Sequence, residues 1–232
     1  MKKKVAILIS GRGSNMAALI DAAADRDYPA EIVLVVSDKA DAQGLGIARA
    51  RGIATQVVAR RDHPSKDAHD AAIHKALTGA GVDIVALAGY MRLLTTPFVE
   101  LWQGRMINVH PSLLPLFRGL DTHRRAIEAG MRVAGCTVHF VTPEMDGGPI
   151  IAQAAVPIRV GDDADALAAR VLRAEHRLYP LALKLVCEGK AEMQGGRTVF
   201  PGLEDSAGDG RVSGPDPLPD VLDLERLARI TP

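Results

Sequence analysis

Neither sign of charge predominates in this chain. Lys plus Arg and Asp plus Glu number 28 each, and the pI is about 7.1. Without surplus charge there is no overall electrostatic pull toward nucleic acid or an anionic membrane, so any anionic ligand has to be held by a local site. Cysteine is scarce too. Cys136 and Cys187 stand far apart in apolar stretches, which reads as buried free thiols in a reducing cytosol rather than a disulfide framework. No apolar run approaches the roughly 18 residues that a bilayer crossing needs. Met1-Lys2-Lys3-Lys4 before Val5–Ile9 imitates a secretory leader, but the apolar run is short and ends in a glycine loop. Internal repeats are absent. These absences predict a cytoplasmic protein with no nucleic-acid and no membrane partner.

What is present is ample apolar material, 47% of 232 residues, enough for one large domain with or without an appendage. Short apolar runs at Val5–Ile9, Ile32–Val36, Thr55–Val58, Ile84–Ala88 and Met106–Val109 alternate with helix-compatible segments near Asn15–Ala24, Gln43–Ala50, Lys66–Leu77 and Thr96–Trp102. Such an order predicts an α/β fold, a doubly wound, mostly parallel sheet with helices on both faces. Two further strands are expected at Arg132–Val141 and Ile150–Ile158, separated by a breaker-rich turn. A long helix should follow from about Asp163, its stripe formed by Leu167, Val171, Ala174, Leu178, Leu181 and Leu185, with Pro180 causing a kink or break near Tyr179. Residues 1–200 read as the catalytic domain. The Gly-, Pro- and Asp-rich stretch 201–232 reads as an irregular, exposed appendage, with a short helix around Val221–Arg229.

The densest chemistry lies in Met106-Ile107-Asn108-Val109-His110-Pro111. Residues i and i+2 share a strand face, so Asn108 and His110 emerge side by side where strand gives way to loop. A carboxamide donor beside an imidazole suits carbonyl chemistry, one group stabilising an oxyanion while the other moves a proton. Ser112 lacks the G-x-S-x-G elbow of an acyl-serine enzyme. Asp146, in Asp146-Gly147-Gly148-Pro149, sits in a tight turn; a carboxylate reaching His110 would favour the imidazolium.

Ser10-Gly11-Arg12-Gly13-Ser14-Asn15 follows the first strand and opens a helix, a ready anion site in which Gly13, Ser14 and Asn15 supply the donors. A dinucleotide fingerprint fails at its third glycine, where Met16 stands, although Asp38 occupies the place of a ribose-binding acid. His69 and His74 lack the spacing of a helical zinc pair, and no metal is expected.

Together with Leu87-Ala88-Gly89-Tyr90-Met91-Arg92, these segments make residues 4–200 closely resemble the folate-dependent glycinamide ribonucleotide formyltransferases. The resemblance implies a Rossmann-like formyltransferase fold and 10-formyltetrahydrofolate as co-substrate, without metal. It implies Asn108, His110 and Asp146 as a catalytic trio, and Gly13, Ser14, Asn15 and Glu175 as contacts to phosphoribosylglycinamide. Lys66, Met91, Arg92, Leu93, Leu94, Asn108 and Val141 would line the folate. The partners would be small molecules and the chain a monomer or homodimer. Lys66 stands where the family often has arginine, Arg118 where it has proline, and Asp121 where it has histidine. Rival readings are methionyl-tRNA formyltransferase, formyltetrahydrofolate hydrolase and a nicotinamide-dependent oxidoreductase. The first would need a basic tRNA-binding C-terminal domain and the second usually carries an N-terminal regulatory domain.

Overall fold

Strand β1 (Lys3–Ile9) is central because both of its faces are apolar. Val5, Ile7 and Ile9 point to one side and Ala6 and Leu8 to the other, all fully buried. The odd-numbered set packs with Met16, Leu19, Val171 and Tyr179; the even-numbered set packs with Ile73, Leu77, Phe98 and Trp102. One strand thus organises two separate cores. A near-continuous apolar run is the mark of a parallel strand covered on both faces.

The computed structural model describes residues 1–202. The expectations placed on 203–232, including the helix at Val221–Arg229, lie outside the described residues. In chain order the elements are α1 (Ser14–Ala23), β2 (Ala30–Ser37), α2 (Gln43–Ala50), β3 (Ala54–Val57), α3 (Lys66–Gly79), β4 (Ile84–Leu87), α4 (Thr96–Leu101) and β5 (Met106–His110). They continue with α5 (Thr122–Glu128), β6 (Val133–Phe140), β7 (Ile150–Pro157), α6 (Ala164–Cys187) and the hairpin strands β8 (Glu192–Gln194) and β9 (Arg197–Val199). The main sheet runs β3-β2-β1-β4-β5-β6-β7, parallel through β5 and antiparallel across β6 and β7. The chain winds outward from β1 to β3 and then returns to β4 on the other side. This reversal opens a crevice beyond the carboxyl ends of β1 and β4, the usual ligand site of such sheets.

Helix α6 departs from expectation in two ways. It shows no break at Pro180, the helix running on from Ala164 to Cys187 with the absent N–H at that position tolerated. The Pro180 carbonyl accepts a 2.6 Å hydrogen bond from the Tyr28 hydroxyl. The buried face also differs: it comprises Leu167, Val171, Glu175, Leu178, Tyr179, Ala182, Leu183 and Cys187, while Ala174, Leu181 and Leu185 are only half-buried. A stripe taken every 3.5 residues slides off a 3.6-residue helix by about 20° per heptad, which accounts for the drift. The corrected face brings an ionisable residue, Glu175, into the interior.

Candidate active site

The antiparallel register of β5 and β6 sets the first part of the site. Asn108 lies opposite His139 and His110 opposite Thr137. Directly opposed residues share a face. Asn108 Nδ2 accordingly lies 3.2 Å from His139 Nε2. The other nitrogen, His139 Nδ1, donates to the Phe140 carbonyl at 2.8 Å, so Nε2 is the acceptor for the carboxamide. Burial holds the His139 pKa below the ordinary histidine value, against smaller opposing pulls from the Phe140 carbonyl and Asp146. A neutral imidazole therefore orients Asn108 and leaves its second N–H free. Sequence reading assigned His139 no role. The signal that would have found it, its pairing with Asn108, exists only once β6 is known to run antiparallel to β5.

His110 ends the same strand and is 5% exposed. Its Nε2 is 3.0 Å from the Phe117 carbonyl and its Nδ1 is 3.4 Å from Asp146 Oδ2. Both ring nitrogens face acceptors. The second Asp146 oxygen lies 3.9 Å from His139 Nε2, so one carboxylate stands between two imidazoles. Asp146 has φ of 50°, a left-handed conformation that aspartate tolerates better than most residues. The Gly119 N–H donates to its Oδ2 at 2.9 Å.

Gly148, two residues on, is obligatory for a plain reason. A Cβ there would lie 1.8 Å from the Phe140 carbonyl oxygen, which belongs to β6 backbone. Gly148→Ala is expected to lift the turn off the strand and to cost roughly 3 kcal/mol of stability, measurable as a lowered urea midpoint with unchanged slope.

The loop from Pro111 to Pro115 is fixed from beneath. Thr137 Oγ1 donates to the Ser112 carbonyl at 2.7 Å and accepts from Leu114 N at 3.0 Å, and Gln153 Nε2 donates to the Leu114 carbonyl at 2.8 Å. Ser112 Oγ donates to the Leu116 carbonyl at 2.6 Å, a local turn contact rather than a nucleophile's setting. Two residues that depart from the family pattern find partners of their own. Arg118 pairs with Glu144, joining this loop to the Asp146 turn, and Asp121 pairs with Arg124 at 2.8 Å in α5.

The glycine loop lies beyond β1. Gly13 has φ of 76° and caps α1, and a Cβ on it would come within 2.8 Å of Gly44 Cα. Two glycines thus let the α1 and α2 entry segments touch, exposing the first N–H groups of α1 to the crevice. Asn15 Nδ2 donates to Glu175 Oε2 at 2.6 Å, bringing together residues that the sequence separates by 160 positions. Burial pushes the Glu175 carboxyl above the usual range, with the Asn15 hydrogen bond pulling partly back. One turn further along α6, the Tyr179 hydroxyl donates to the carbonyls of Leu87 and Ile107, at 3.0 and 3.2 Å. The helix that carries Glu175 is thereby keyed to β4 and β5.

Beyond β4, the Met91 N–H donates to Ser10 Oγ at 2.9 Å, tying the loops after β1 and β4 together. Met91 and Leu93 are each 67% exposed, an apolar pair at the crevice edge. Leu94 and Val141 pack against the even-numbered core, and Lys66 Nζ donates to the Leu94 carbonyl at 3.2 Å. Arg92 Nε donates to Asp38 Oδ2 at 2.8 Å. The Asp38 side chain is fully buried, so it is not presented to a ribose. Among the described residues, no three His, Cys, Asp or Glu side chains form a metal-binding group.

The loops after β1, β4 and β5 are neighbours in the sheet, so the glycine loop and His110 stand about two strand spacings, roughly 10 Å, apart. A formyl transferase family model matches residues 3–183. The phosphoribosylglycinamide formyltransferase of Escherichia coli (strain K12) is 44% identical over 189 residues, covering 82% of this chain and 89% of that protein. The trifunctional purine biosynthetic protein adenosine-3 of Gallus gallus is 48% identical over 192 residues; these span 83% of this chain but only 19% of that protein. The crystal structure of phosphoribosylglycinamide formyltransferase from Brucella melitensis superposes with a TM-score of 0.78 at 60% identity, covering 81% of this chain and 96% of that one. The chain belongs to the formyl transferase family, alongside its phosphoribosylglycinamide formyltransferases.

Proposed function

We propose that this protein transfers the formyl group of 10-formyltetrahydrofolate to the amine of N1-(5-phospho-D-ribosyl)glycinamide, releasing tetrahydrofolate, in purine biosynthesis. The observation that carries the reading is the convergence of Asn108, His110 and Asp146 at the end of β5, within reach of an anion-binding loop. The phosphate of the acceptor sits on the N–H groups of Gly13, Ser14 and Asn15, and Glu175 accepts from the ribose hydroxyls. The folate lies along Met91–Leu94 and Val141, with Lys66 and Arg92 toward its carboxylate end. The amine attacks the formyl carbon. The free N–H of Asn108 and a protonated His110 hold the oxyanion, and the proton leaves with the folate nitrogen through His110 or water. Asp146 orients the imidazole and balances its charge. We place this chemistry within residues 1–200.

A buried Asp38 held by Arg92, and a fully buried Met16 at the third fingerprint position, weigh against the nicotinamide reading. An acceptor panel tests the proposal. Tetrahydrofolate release should require phosphoribosylglycinamide, should be weak with the dephosphorylated analogue, and should not occur with methionyl-tRNA. Rapid release with no acceptor would favour the hydrolase instead. Asn15→Ala removes the link to Glu175 and a polar group beside the phosphate site. It should raise KM for the phosphorylated acceptor by about 10- to 100-fold, from the 1.5–3 kcal/mol typical of hydrogen bonds to charged groups, with a smaller change in kcat.

A further inference from the structure

The His110–Asp146 pair is gripped at both ends by one short stretch of loop. The Phe117 carbonyl faces His110 Nε2 at 3.0 Å, and two residues on, the Gly119 N–H donates to Asp146 Oδ2 at 2.9 Å. That stretch is held in an uncommon conformation. Phe117, Gly119 and Asp121 have φ of 53°, 80° and 57°, so left-handed residues alternate along it. Glycine adopts this conformation freely, but a bulky residue such as Phe117 keeps it only where its surroundings impose it. The carbonyl that meets His110 is therefore no better placed than the contacts that hold the backbone of residues 117–121.

The pair of Arg118 with Glu144 is one such contact, but its side chains are 39% and 66% exposed, and exposed ion pairs contribute little. Arg125, in α5, does more. Its Nη1 donates to the Arg118 carbonyl at 2.6 Å and to the Leu120 carbonyl at 3.2 Å, the two carbonyls that lie between the left-handed residues. Its guanidinium carbon is 5.5 Å from the centroid of the Phe117 ring, within cation–π range. A charged donor makes stronger hydrogen bonds than a neutral one, and a planar guanidinium can serve carbonyls and an aromatic ring at once. We infer that Arg125 is a positioning residue for formyl transfer: it fixes the Phe117–Gly119 backbone and, through it, the orientation of the His110 imidazole and the Asp146 carboxylate. It acts through backbone, not on the reacting atoms. This inference rests on the formyl-transfer reading above and adds a residue to it.

Arg125→Gln in the full chain tests this by two readouts. At saturating substrates it should lower kcat by about 10- to 100-fold, the loss that an ångström-scale misplacement brings, with KM changed little. Placed in the His110→Ala background, the same substitution should change the residual rate by less than about twofold, because the group it positions is gone. A residue that merely stabilised the fold would lower the rate equally in both backgrounds. The second readout needs no substrate. In protein labelled with nitrogen-15 in histidine, the His110 ring, identified by its loss in His110→Ala, should show an Nε2–H protected by the Phe117 carbonyl, and Arg125→Gln should broaden or abolish that signal. Arg125→Lys, which keeps a charged donor, carries both tests at smaller amplitude if Arg125→Gln does not fold. An unmoved His110 signal, or an equal rate loss in the two backgrounds, would overturn the assignment and leave formyl transfer standing. Absence of transfer by the wild type would instead overturn the functional reading on which the assignment rests.

Discussion

His110→Ala is expected to lower the rate of formyl transfer by about three orders of magnitude, within the range that positioned acid–base groups contribute. The imidazole ends β5 with both ring nitrogens facing acceptors, and Phe117, Gly119 and Asp146 all serve to place it or its partner. Steady-state kinetics at saturating donor and acceptor should assign the loss to kcat, with KM for both substrates changed little. Asp146→Asn keeps the shape but removes the charge at 3.4 Å from Nδ1. Its loss should likewise fall on kcat, and the double variant should be no worse than His110→Ala alone, because a carboxylate that acts through the imidazole has nothing to act on once the ring is gone.

Asn108→Ala should cost about two to three decades in kcat, as loss of one oxyanion donor does. The arrangement makes a second, more discriminating forecast for His139. Because Nδ1 donates to Phe140, protonation would place a second donor, Nε2–H, against the Asn108 amide. The folded pKa lies below the unfolded histidine value, so the neutral pairing is fully present above about pH 6.5 and is lost only as the pH falls through the lower folded value. His139→Gln, which keeps an acceptor, should retain more activity than His139→Leu, and should flatten the acid limb of the kcat profile. Equal kinetics and an unchanged acid limb in both would show that Asn108 needs no orienting partner.

The parallel strands were legible in the sequence because burial on both faces makes them continuous apolar runs, and Val5–Ile9 is the clearest case. Asn108 and His110 were legible for the complementary reason, two polar groups on one face of such a run. Glu175 entered only through the family resemblance. The stripe read by periodicity put Ala174, not Glu175, on the buried face, because small errors in period accumulate along 24 residues. Helix α5 spans only seven residues, too few to show a period. The β8–β9 hairpin escaped too, although Gly195 and Gly196, with φ of 55° and 75°, are a recognisable two-residue turn. His139 was invisible because its role arises from cross-strand register. Spacing along one chain reports the faces of single elements, whereas pairings across 31 residues, or 160 for Asn15 and Glu175, exist only after packing.

The most direct test of the central claim follows the carbon itself. With donor labelled in its formyl carbon, the account predicts that label appears on the glycinamide amine in a one-to-one ratio with tetrahydrofolate, and that Asn108→Ala and His110→Ala slow its arrival without diverting it. Label recovered chiefly as free formate, at a rate indifferent to the acceptor, would contradict it.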